Sequence, residues 1–238
     1  MWRLPLNVSD ISVQVIDHMG TDLSVVNAAR VSFDKESEWQ MGFEGKQLND
    51  ADSKLISYLA THNHWSPFSH AFASFRIKAP IFVARQLVKH TVGLAWNEVS
   101  RRYVSTEPEF YLPDYWRKSA NNVKQGSSNE SINANFQSWF TTLNQTSTSY
   151  DYLAVALHTY EDLLKQGVCA EQARMVLPQN TMTEWIWSGS LYAFARVCNL
   201  RLDSHTQKET QQVAKLISNQ MKELFPVSWG VLVNEPNN

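Results

Sequence analysis

The chain has 238 residues, 43% hydrophobic and 18% charged, enough to bury a core without disulfide staples. Twenty-one Lys and Arg against 23 Asp and Glu give a formal charge of −2, without the positive surplus that a nonspecific nucleic-acid binder needs. No apolar run approaches the ~20 residues of a membrane span, the start lacks a signal-peptide layout, and two cysteines make neither a disulfide framework nor a Cys-rich zinc site.

Those cysteines, Cys169 and Cys198, lead to the expectation of a reducing, cytoplasmic setting. Residues 11–17 alternate apolar and polar and predict a strand; 22–30 predict a short helix capped by Asp22 or Thr21. The charged stretch 36–46 reads as a loop, and 50–62 as a helix with an apolar stripe through Leu55, Ile56, Leu59 and Ala60. His64-Trp65-Ser66-Pro67 is a turn, because proline biases its predecessor away from helix. Ala71, Ala73, Phe75 and Ile77 alternate with polar residues in a strand over 70–79, and Pro80 opens a helix over 81–90 that Gly93 ends. An irregular or strand-like stretch follows over 96–103.

Residues 118–135 hold almost no large apolar side chain and read as a solvated surface loop. Helices are expected over about 136–166, ending at Gly167, over 170–177, stopped by Pro178, and over 181–200 and 205–224. No internal repeat is visible. The order predicts an α+β protein: a single domain, 1–238, with a central mostly antiparallel sheet and a helical carboxy-terminal half.

Eight glycines form neither GxGxxG nor GxxxxGK[ST], so arginines, helix ends and loops must hold any phosphate. The stretch 85–103 gathers Arg85, Gln86, Lys89, His90, Asn97, Glu98, Ser100, Arg101 and Arg102. Gln86, Lys89 and His90 would share a face on the 81–90 helix. Such a cluster offers cations to phosphate and amides to a base edge, or else forms a solvated polar helix end. Arg201 sits among Val197, Leu200 and Leu202 and needs a partner, either Asp203 or Glu209 in an ion pair or a bound anion or base. His62, His64 and His70 lack a nearby carboxylate, which weakens a metal reading. Trp185 and Trp187 most simply fill core.

At these residues the sequence resembles the flavin-dependent thymidylate synthases, the ThyX family, from about Val13 to Pro226. HNHWSPFSH, FRIKAPIFVARQ, NEVSRRY, ARMVLP and, 27 positions later, NLR followed by DSHTQKE stand in the family's order. The departures fall at the family's RHR signature. Lys89 replaces its first arginine, His90 matches, Thr91 replaces the second arginine, and eight residues separate Thr91 from Ser100. Ser190 and Arg196 stand where the family has asparagines.

The resemblance implies methylation of dUMP at C5 to dTMP, with 5,10-methylenetetrahydrofolate as carbon source, NADPH as reductant and FAD between them. It implies a homotetramer with shared active sites, and no metal, nucleic-acid or membrane partner. Arg201 would favour N3-ionised uracil, with no protein nucleophile. Gln86, Lys89, Glu98, Ser100, Arg102, Arg174 and Arg201 would bind dUMP. Ser32, His64, Lys89, His90, Thr91, Asn97, Glu98, Ser190 and Arg196 would bind FAD. The rival readings are a metal-dependent nucleotide phosphohydrolase using the histidines near 62–70, and an RNA-binding module using Lys89, Arg101, Arg102 and the tryptophans.

Overall fold

The computed structural model describes residues 6–43, 45–120, 126–132 and 151–234. In chain order the elements begin with β1 (Ser12–Met19), α1 (Asp22–Arg30), β2 (Gln40–Gly42), β3 (Gly45–Gln47) and α2 (Asp50–Thr61). Then come β4 (Phe72–Pro80), α3 (Ile81–Leu87), β5 (Leu94–Glu98), β6 (Trp116–Ser119) and β7 (Ser127–Ile132). The rest is α4 (Asp151–Lys165), α5 (Ala170–Ala173), β8 (Met182–Ser190), α6 (Leu191–Arg201), α7 (Lys208–Leu224) and α8 (Pro226–Leu232).

Four strands form a sheet in the order β1-β4-β8-β5. Ile81 N–H donates to Thr181 O at 2.9 Å and Leu191 N–H to Ala71 O at 2.8 Å, so β4 and β8 run antiparallel. Val99 N–H to Glu184 O at 2.8 Å and Ser190 N–H to Gly93 O at 3.3 Å give β5 and β8 opposite senses as well. The chain is α+β, as its element order predicts.

The residues group into two compact units, interleaved in sequence. One comprises 1–11, Lys78–Gln86 and Glu98–Glu184; the other comprises Ser12–Ile77, Leu87–Asn97 and Trp185–Asn238. In the first, Phe110, Leu153 and Leu157 form a buried cluster with Leu6, Leu112 and Leu177 against it. In the second, α7 packs on α6, α8 and β1, and α2 on α8. Its core includes Val25, Val26, Ile56, Phe68, Phe75, Phe194, Val213 and Ile217.

Local chemistry explains several boundaries. Asn49 caps α2: its Oδ1 accepts from Asp52 N–H, and its Nδ2 donates to Asp52 Oδ2, both at 2.8 Å. Asp52 is fully buried and also takes Arg30, whose Nε donates at 3.0 Å, and the Ser37 hydroxyl at 3.1 Å. Asp22 opens α1 and reaches the first turn of α8, accepting from Val227 N–H and Ser228 N–H at 2.9 Å each.

The structure corrects several sequence readings. The expected 181–200 helix is a strand, β8, followed directly by α6. The apolar run through Leu191–Cys198 hides the period-two alternation of Trp185 and Trp187, which are buried on one face of β8 while Ile186 is exposed on the other. The 81–90 helix stops at Leu87, because the chain must turn before β5, so Gln86, Lys89 and His90 do not share a helical face. The described residues of 118–135 hold a paired ribbon rather than a loop: β6 and β7 align Trp116 with Ile132. Backbone pairing and the Lys118–Glu130 contact at 3.2 Å hold it without a core face. The 36–46 loop likewise contains β2 and β3, which pair Gln40 with Gln47.

The later helices shift as well. The 170–177 helix is α5 with a following 3-10 turn over Arg174–Val176. The helix expected from 205 begins at Lys208 as α7, and the residues before it form a turn in which Asp203 Oδ1 accepts from His205 N–H at 2.8 Å. The expected helical residues 136–150 lie outside the described residues. Although the sequence shows no repeat, β4–α3 and β8–α6 repeat one arrangement, a strand whose last two residues are buried passing straight into a helix.

Candidate active site

In the second unit, the turn after Leu87 lies against α6. His90 N–H bonds Leu87 O at 3.0 Å, and Gly93 follows with φ +74°, a left-handed conformation that glycine adopts without a Cβ penalty. A Cβ on Gly93 would sit 3.1 Å from Ala193 Cβ, and one on Gly189 would sit 2.5 Å from Gly93 O. Backbone therefore meets backbone here. Ser190 is buried at the start of α6, and its Oγ accepts from Ala193 N–H at 3.2 Å.

This contact brings together two residues 111 positions apart. Arg201 Nε donates to His90 Nε2 at 3.0 Å. Burial pushes the His90 imidazole below its ordinary range, and the charges of Arg201 and Arg196 push it the same way. The ring is therefore neutral at pH 7, with Nε2 as acceptor and its proton on Nδ1. Burial also lowers the Arg201 guanidinium, which stays charged. Of the two carboxylates expected beside Arg201, Asp203 is turned to His205; the histidine that Arg201 meets was not foreseen.

An aromatic wall stands behind His90. Its ring centroid is 6.5 Å from that of Trp187. Trp187 meets Trp96 edge-on at 5.4 Å, and Trp96 stacks on Trp185 at 4.3 Å. The indole N–H groups of Trp185 and Trp187 are buried without a partner among the described residues. The W-x-W spacing on a strand was the available signal for this wall. Lys89 and Arg196 are both exposed, and neither makes a hydrogen bond or ion pair among the described residues. Thr91, Asn97 and Ser32 are also exposed, Ser32 on a 3-10 turn over Val31–Phe33. His64 sits with its ring centroid 6.0 Å from that of Tyr58 and 6.3 Å from that of His62. His62 Nδ1 is 2.9 Å from Tyr58 O. Among the described residues no group of three His, Cys, Asp or Glu is placed to hold a metal.

The first unit carries the other named residues: Gln86, Glu98, Ser100, Arg102 and Arg174. A cleft of about 290 Å³ is lined by Lys78, Glu98, Arg101, Glu109, Arg174 and Thr183 among others. Glu98 Oε1 accepts from the Thr183 hydroxyl at 2.7 Å. Lys78 Nζ donates to Glu109 Oε2 at 2.6 Å, and that hydrogen bond is the main reason the Glu109 carboxyl is held below its ordinary range. Arg174 Nε donates to Glu171 O at 3.2 Å, and Arg101 to Thr106 O at 2.8 Å. Ser100 Oγ accepts from Arg102 Nε at 3.1 Å, with Arg102 lying 5.0 Å over the Tyr103 ring. Sequence reasoning missed Lys78, Glu109 and Thr183 here. Polar residues alternating along β4 hinted at Lys78; nothing local pointed to the other two.

An arginine–histidine pair beside an indole wall, with a second guanidinium exposed on the same helix, suits an anionic, flat-ringed ligand of an α+β enzyme. The family model described as "Thymidylate synthase complementing protein" matches residues 14–227. The flavin-dependent thymidylate synthase of Thermosipho africanus is 37% identical over 214 residues, 90% of this chain and 87% of that protein. That of Thermus thermophilus is 37% identical over 217 residues, 91% of this chain and 73% of that protein. The solved UMP/dUMP methylase PolB of Streptomyces cacaoi, bound with 5-Br dUMP, superposes with a TM-score of 0.76 at 28% identity, covering 97% of this chain and 100% of that one. The chain belongs to the flavin-dependent thymidylate synthase family.

Proposed function

We propose that this protein is a flavin-dependent thymidylate synthase that methylates dUMP at C5 to give dTMP. The observation that carries the reading is the Arg201–His90 pair within a chain of this family. The balance is dUMP, methylenetetrahydrofolate, NADPH and a proton to dTMP, tetrahydrofolate and NADP⁺. C5 loses its hydrogen as a proton and gains a C–C bond, and the transferred methylene is reduced to methyl by two electrons. Bound FAD supplies the redox chemistry of that reduction.

C5 of uracil is a weak nucleophile until N3 loses its proton. The Arg201 guanidinium favours the ionised ring, because a fixed opposite charge lowers an acid's pKa. His90 stays neutral and orients the guanidinium through Nε, and a planar fork held in that way suits a carbonyl or an anionic nitrogen. Gln86, Lys89, Glu98, Ser100, Arg102 and Arg174 bind the nucleotide, with Arg102 suited to its phosphate and Arg174 to the uracil edge. The donor set of the second unit fits FAD: cations without bound carboxylates at Lys89 and Arg196, a buried capping hydroxyl at Ser190, and an indole wall. His64, His90, Thr91, Asn97, Glu98 and Ser32 complete that assignment.

We read 1–238 as one family domain, since the family match runs through both units. We also read it as a homotetramer with shared sites. Large apolar side chains left exposed, among them Phe33 and Met41, favour assembly. Light scattering on the purified protein tests that assembly. Two free cysteines fit a cytoplasmic setting.

The test of function is tritium release from C5-labelled dUMP. Release is expected only when methylenetetrahydrofolate, NADPH and FAD are all present. A fully supplied reaction that leaves the label in place overturns the proposal.

A further inference from the structure

We propose that in this protein Arg196 carries the negative charge of the flavin's phosphate chain, a task that falls to α6 because Thr91 leaves the signature turn without its second arginine. The inference rests on the flavin reading above and concerns which residue of this chain performs that part.

Three placements support it. First, α6 runs beside the turn over residues 90–93. Gly93 approaches Ala193 at one end of that contact, and His90 bonds Arg201 eight residues further along the helix. Arg196 lies between them. Three residues beyond Ala193, it occupies the same side of the helix. The charges of Arg201 and Arg196 both act to keep the His90 ring neutral, in keeping with their place on the helix beside the turn. Second, Arg196 is exposed and makes no hydrogen bond or ion pair among the described residues, so its donors are uncommitted within them. Third, the turn itself offers little in its place. Thr91 is neutral, and Lys89 is a point charge, which cannot match the bidentate grip of a guanidinium on a pyrophosphate. Arg201 already spends its Nε donor on His90.

The experiment titrates the full-length protein with FAD and, separately, with riboflavin, which has the same ring and no phosphate. Proteins compared are wild type, Arg196→Ala, and Arg196→Ala combined with Thr91→Arg. Alanine at an exposed helical position keeps the helix, and circular dichroism checks this. Arg196→Ala is expected to weaken FAD by about tenfold to a hundredfold, the loss of one or two charge-assisted contacts, and to leave riboflavin affinity unchanged. Adding Thr91→Arg restores FAD affinity by about fivefold or more, since a guanidinium returns to the turn. The proposal is overturned if Arg196→Ala binds FAD as tightly as wild type, if it loses FAD and riboflavin equally, or if the double variant stays as weak as the single one. Wild-type protein that binds neither flavin refutes the cofactor reading itself, an outcome distinct from these.

Discussion

Replacing Gly93 by alanine tests whether the turn against α6 holds the site. Gly93 has φ +74°, and a left-handed residue with a Cβ costs about 1–2 kcal/mol. The new methyl would also sit 3.1 Å from Ala193 Cβ, close enough that helix or turn must give by a few tenths of an ångström, at about 1–2 kcal/mol. Reduced freedom of the unfolded chain returns about 0.4–1 kcal/mol. The sum is about 1–3.5 kcal/mol of destabilisation. For a chain of this length that is a fall in Tm of about 2–14 °C. Gly167→Ala is the matched control, since Gly167 has φ +86° and nothing within 4 Å of its added Cβ. It bears the conformational cost alone, and its net loss is about 1 kcal/mol or less. Scanning calorimetry of both variants measures the difference, and FAD titration follows the displacement of His90. Equal shifts in the two variants, or a Gly93→Ala protein as stable as wild type, would show that the turn does not approach α6 as described.

Other predictions concern charge. Arg201→Ala should keep the fold and bound flavin but lower turnover about 10²–10³-fold, the usual effect of losing one preorganised donor at developing charge; near-wild-type tritium release from C5-labelled dUMP would contradict its role. Asp22→Ala leaves Val227 N–H and Ser228 N–H of α8 unpaired and should cost about 2–4 kcal/mol, read as a lower urea midpoint. His90 is depressed below 6.5, so the unfolded chain takes up its proton first as pH falls. The stability this residue contributes is present above about pH 6.5 and declines as pH drops through its folded value. His90→Gln should flatten that part of the pH–stability profile, and an unchanged slope between about pH 7 and 5 would count against a neutral, buried imidazole.

Much of the fold was legible one segment at a time. Asp22–Arg30 and Asp50–Thr61 carry their own caps and apolar stripes, and Phe72–Pro80 alternates cleanly, so period and capping located them. Met182–Ser190 did not reveal itself, because apolar residues continue from the strand into α6 and blur the change of period. The β2–β3 and β6–β7 strand pairs bury little and are set by cross-strand pairing, which no local pattern encodes.

The site divides the same way. Local sequence singled out Arg201, because a guanidinium among apolar neighbours has few cheap alternatives to a partner, while the roles of His90 and Arg174 came from the family resemblance. The partner itself was a tertiary matter. His90 reaches Arg201 across 111 positions only because α3 ends at Leu87 and Gly93 lets the turn lie on α6. Residue types by themselves determine which side chains can carry charge and which helices can form. The distances that make one imidazole neutral, and leave Arg196 without a partner among the described residues, arise only when separate segments desolvate one another in the folded chain.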